Sequence, residues 1–105
     1  MIEALFVVMR WYNGMIADIE SIMLACMLKK HKKTKRKYRY TLVIETMYSP
    51  KKKRLYKCYS IIKFHSELIP NEEGKRKKQR VRDEAVRGSL TSLMLYMAEE
   101  IKGYE

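Results

Sequence analysis

Tyr38-Arg39-Tyr40-Thr41-Leu42-Val43-Ile44-Glu45-Thr46-Met47-Tyr48 and Arg54-Leu55-Tyr56-Lys57-Cys58-Tyr59-Ser60-Ile61-Ile62-Lys63-Phe64-His65 are the two stretches on which the fold turns. Both are rich in β-branched and aromatic residues and both alternate, the pattern of half-buried strands. In the first, Tyr38, Tyr40, Leu42, Ile44 and Thr46 share a face. In the second, Tyr56, Cys58, Ser60, Ile62 and Phe64 do. Ser49 to Lys53 lies between them, with Pro50 placed to start a turn. Closing that loop with Tyr48 opposite Arg54 puts Tyr40 by Ile62, Ile44 by Cys58 and Glu45 by Lys57. This register joins the apolar faces and pairs opposite charges, so a β-hairpin is expected over 38–65.

Upstream, Lys29 to Lys37 is cationic at every position except His31 and Thr34, and such a run reads as an extended, solvated arm. Residues 1–28 read as one long helix, with Glu3, Arg10, Gly14, Asp18 and Ser21 on a single stripe. The competing reading makes Leu5 to Tyr12 a strand ending in a turn at Asn13-Gly14. Most of this helix's circumference is apolar, more than one hairpin can cover. A homodimer through residues 1–28 and the C-terminal helix is therefore expected.

Downstream, Pro70-Asn71-Glu72-Glu73-Gly74 is a loop, and the short span from His65 to Lys75 leaves no room for a third strand. A helix is expected over 76–102, on the stripe Val86, Leu90, Leu93, Met97 and Ile101 with Gly103 as its stop. The whole is one small α+β domain over 1–105: an N-terminal apolar helix, a basic antiparallel hairpin and a C-terminal amphipathic helix, packed on the hairpin's Tyr40/Ile44/Ile62 face.

The formal net charge is +11. Residues 29–63 hold fourteen Lys and Arg against one acid, Glu45, while the last 42 residues balance eight against eight. An excess so concentrated calls for an anionic partner. The candidate nucleic-acid-binding residues fall in three groups. Lys32, Lys33, Lys35, Arg36, Lys37 and Arg39 form the arm. Lys51, Lys52, Lys53, Arg54, Lys57 and Tyr59 form the ribbon tip and its flank. Lys77, Lys78 and Arg80 form a third anchor at the expected helix start, where a phosphate would suit the dipole. Tyr38 and Tyr40 are expected in the core, and Tyr59 exposed.

A basic patch opening a C-terminal helix over an antiparallel sheet is similar in outline to the double-stranded-RNA-binding domain, with Lys77-Lys78 as the matching pair. The small-residue pattern that follows those lysines in that family is absent from Gln79-Arg80-Val81-Arg82, so membership is not assigned.

No nucleophile–base motif, Gly-rich phosphate loop or Cys/His cluster is present, and His31 and His65 have no partner by position. No catalytic residue, metal ligand or cofactor is assigned. Glu45 among lysines leaves a metal-dependent nuclease as the enzymatic alternative. The expected function is non-enzymatic binding of duplex DNA or RNA through phosphate contacts. A homodimeric module of a mobile element docking on an acidic protein surface is the alternative, and membrane-surface association the third. Scarce Asn, Gln and Asp with plentiful Lys, Glu, Ile and Tyr point to a thermophilic archaeon or its virus. Cys26 and Cys58 read as small buried residues, and a cytoplasmic location is expected.

Overall fold

The computed structural model describes residues 2–104, with side chains from Tyr12 onward. Helix α1 spans Ile2–Met27, strands β1 to β3 span Tyr38–Ser49, Arg54–Pro70 and Arg76–Gly88, and helix α2 spans Leu90–Lys102. The strands form an antiparallel sheet in the order β1-β2-β3. The class is α+β, as expected, but with three strands rather than two. The helix expected over 76–102 begins only at Leu90, and its first half is β3. Ser89 ends the strand and caps the helix: its backbone is extended and its hydroxyl accepts from the Ser92 N–H at 3.2 Å, a bond that would otherwise be missing at a helix start. Val86 faces the core from the strand, which is why it extended the helical stripe.

The β1–β2 register differs by one residue from the sequence expectation. Ser49, not Tyr48, pairs with Arg54, so Tyr40 lies opposite Lys63, Ile44 opposite Tyr59 and Glu45 opposite Cys58. The turn is therefore four residues, Pro50 to Lys53. The Ser49 hydroxyl accepts from the Lys52 N–H at 3.3 Å and Lys53 closes the turn at φ 49°. Because side chains alternate, the slip reverses which faces share a side. Tyr38, Tyr40 and Leu42 join Tyr59, Ile61, Lys63 and His65 under the helices. Ile62 lies on the other side, and Ile44 is 44% exposed. Tyr59, expected at the surface, is partly buried against the core.

The polar groups of Lys63 and Tyr40, which lie under the helices, are each partnered. Lys63 Nζ donates to Glu100 at 3.0 Å and lies 4.3 Å from the Tyr38 ring centre. The Tyr40 hydroxyl donates to the same carboxylate at 2.7 Å and meets the Tyr104 hydroxyl at 2.8 Å. Burial, then these two bonds, holds the Tyr40 hydroxyl protonated far above its usual range. Alternation of hydrophobicity cannot see such compensation, since a buried charge is tolerated once it is paired.

Above this face, Ile19, Met23 and Cys26 of α1 meet Leu90, Leu93 and Met97 of α2 and Ile61 of β2. Burying each large side chain contributes about 1.5–3 kcal/mol. Burial pushes the Cys26 thiol up to about 11. Helix α1 runs unbroken through Asn13-Gly14, which excludes the strand alternative for 5–12. It exposes Leu24, and Leu28 follows exposed just past its end, as α2 exposes Leu95. The side chains of Leu5 to Trp11, on which much of the dimer expectation rests, lie outside the described residues.

The three strands coincide only over Tyr59 to His65. Beyond that overlap, the β1–β2 ribbon runs out one way and the β2–β3 ribbon the other. With 17 residues at about 3.3 Å each, β2 sets the long dimension of a molecule measuring 61 × 36 × 16 Å.

Candidate nucleic-acid interface

The basic arm is a closed loop, not an extended tail. The His31 N–H donates to Arg36 O at 2.8 Å, the Lys35 N–H to His31 O at 2.9 Å, and Lys35 turns the chain at φ 59°. The Lys32 N–H donates to Gly103 O at 2.9 Å, fastening the loop to the end of α2. The His31 ring packs edge-on against Tyr38 and Tyr104, and its Nδ1 accepts from the Lys33 and Thr34 N–H groups. A Cβ at Gly103 would stand 2.5 Å from the ring's Nε2, so this close approach requires glycine. Anchoring the loop leaves Lys32, Lys33, Lys35 and Lys37 exposed on a defined scaffold.

Arg36, also exposed, sets its guanidinium 3.4 Å from His65 Nε2. His65, for which the sequence offered no partner, is buried between two carboxylates. Nδ1 meets Asp83, and Nε2 meets Glu67 at 2.6 Å. Hydrogen bonds to Asp83 first, then Glu67, raise its affinity for a proton against the opposing effects of burial and Arg36.

Asp83 reaches His65 because of an irregularity in β3. Lys63 pairs with Glu84 but Phe64 pairs with Arg82, so Asp83 is an extra residue, a β-bulge. Before the bulge, Arg76, Lys78, Arg80 and Arg82 pair with Pro70, Leu68, Ser66 and Phe64. After it, Ala85 and Arg87 pair with Ile62 and Ser60. Directly paired residues share a face, so all of these stand on the side away from the helices. The bulge keeps Arg87 in line with the other arginines. It also leaves Asp83 and Glu84 on the helix side, where Glu84 accepts from Tyr96 at 2.7 Å.

The open face therefore sorts its charges. Within the strands every arginine, Arg39, Arg54, Arg76, Arg80, Arg82 and Arg87, faces away from the helices, as does Lys78. Lys57, Lys63 and Lys77 face the helix side. The one carboxylate on the open face is Glu45, and among the described residues no ion pair holds any of the arginines. Arg80 lies over the Phe64 ring at 5.3 Å. Where β1 begins, Lys37, Arg39, Lys78 and Arg80 border a groove of about 310 Å³ floored by Phe64 and Ser66.

Of the three groups expected from sequence, the structure brings two together: the arm and the third anchor meet at this groove. The ribbon tip, Lys51 to Arg54, stands apart at one end of β2. The pair Lys77-Lys78 does not open a helix. The two residues point to opposite faces of β3, which removes the likeness to the double-stranded-RNA-binding arrangement. Arg82, Arg87 and Phe64 were missed. The cations at 76, 78, 80 and 82 repeat every second residue, and that period could have revealed both the strand and its basic face.

Among the described residues no group of three His, Cys, Asp or Glu could hold a metal ion, and no helix is long and apolar enough to cross a membrane. No family model, curated protein or solved structure matches the chain.

Proposed function

We propose that the protein binds nucleic acid without catalysis, through phosphate contacts on the open face of its sheet and the adjoining loop. One observation carries this reading: the sheet collects its arginines on the side the helices leave bare and sends all but one of its carboxylates to the other. A face so sorted attracts polyanions, and unpaired guanidiniums suit phosphate oxygens in bidentate geometry. Lys32, Lys33, Lys35 and Lys37 extend the field beside the groove. Lys51, Lys52, Lys53 and Arg54 supply a separate contact at the ribbon tip.

Titration with mixed-sequence DNA and RNA over a range of salt tests the proposal. Each phosphate neutralised lowers the slope of log affinity against log salt by about 0.9 on duplex and 0.7 on single strands. Replacing Arg80 and Arg82 together by Ser should flatten that slope by one to two such steps. Indifference to every polyanion, or a slope unchanged by the replacements, would overturn the reading. An acidic protein surface is the competing partner, and it predicts no binding to nucleic acid of either kind. Self-association through the outer helix layer, where Leu24, Leu28 and Leu95 are exposed, is part of the proposal and is read by sedimentation.

A further inference from the structure

The open face carries more than charge, and its columns differ. On β2, which runs down the middle, the outward residues beyond Arg54 at the ribbon tip are Tyr56, Cys58, Ser60, Ile62, Phe64, Ser66, Leu68 and Pro70, with no charge among these. On β3, one strand spacing of about 4.8 Å away, the outward residues are cationic at every pair except Ala85. Tyr56 and Leu68 are 44% and 62% exposed, and Phe64 is half-buried under the Arg80 guanidinium.

Resting on the nucleic-acid reading above, we infer that this face takes single strands, with the bases laid on β2 and the phosphates along β3. A duplex turns only phosphates and sugars toward a flat surface, so it would leave the uncharged column uncovered. An unpaired strand has a charged edge and an apolar edge, as this sheet does. Bases stack on aromatic rings and on guanidinium planes whatever their sequence, and the Arg80–Phe64 pair presents both. The choice of arginine over lysine on this face follows from the same need, because an ammonium offers no plane to stack on. A second copy of the chain does not fit this surface, since two such faces would set their arginine rows against each other.

The test compares a mixed-sequence oligonucleotide of roughly 12 nucleotides, as DNA and as RNA, with the duplex made by annealing the DNA to its complement. Phe64→Leu and Arg80→Lys are measured beside the unaltered protein. Arg80→Lys keeps the charge at an exposed position, so it reports on stacking even where Phe64→Leu disturbs folding. A single strand should bind ~10-fold tighter than the duplex at matched salt, and each variant should lose ~5-fold or more on the strand alone. Equal or tighter duplex binding, or a strand affinity blind to Arg80→Lys, overturns the inference while phosphate binding stands. Failure to bind any of the three probes removes both.

Discussion

His65 combines burial with two acidic neighbours, and its protonation is tied to folding. In the unfolded chain it titrates near 6.5. In the folded protein the carboxylates of Asp83 and Glu67 hold the proton to a higher pH. A group whose folded-state pKa is raised adds stability that is complete below the unfolded value and is lost as pH climbs through the folded one. The midpoint of urea unfolding should therefore fall as pH rises above about 6.5, and His65→Gln should remove that part of the decline. A wild-type midpoint that holds steady or rises through this window would contradict the assignment. Arg36 touches the same ring, so the residue that orders one end of the basic loop also senses this proton.

At the scale of elements the bulge at Asp83 absorbs one extra residue, so β3 keeps a single cationic face on both sides of it. Deleting Asp83 would make Phe64–Arg82 and Lys63–Glu84 consecutive pairs and leave every other side chain of β3 on its present face. The deletion and Asp83→Ala each remove one His65 partner and turn no other residue, so each should cost ~1 kcal/mol, as is typical of a point change. Thermal unfolding of the two variants side by side checks that they agree. Much of this level was legible in the sequence: α1, the existence of the hairpin, the core roles of Tyr38 and Tyr40, and the apolar stripe of α2 from Leu90 onward. The register was not, because Lys63 and His65 lie buried on the helix side and a pattern of apolar residues discounts them. Their partners, Glu100 and Asp83, come from elements distant in the chain. Strand β3 was hidden for a related reason. A cationic strand has no apolar alternation, while Val86 happens to continue the spacing of the helix beyond it; Gly88-Ser89, the strand's last residue and the helix's cap, mark the true boundary.

The whole molecule is drawn out: its radius of gyration is 17.6 Å, against about 13 Å for a globular chain of this length. Two helices cover only the middle of the sheet, and the two ribbons extend the basic surface far beyond what that core could present. The loop after α1 and the β3 row meet at one groove, and under the proposed function Lys51 to Arg54 would reach a second stretch of the same polymer. This shape also governs how stability responds to temperature. Ten hydrophobic residues are buried among the described ones, and a slab 16 Å thick exposes comparatively little new apolar surface when it unfolds. Heat capacity follows that surface, and an ordinary chain of this length would show about 1.3–1.6 kcal/mol/K. Scanning calorimetry should return a value below that range. The free-energy curve is then shallow, so what stability the thin core provides changes little across a wide span of temperature.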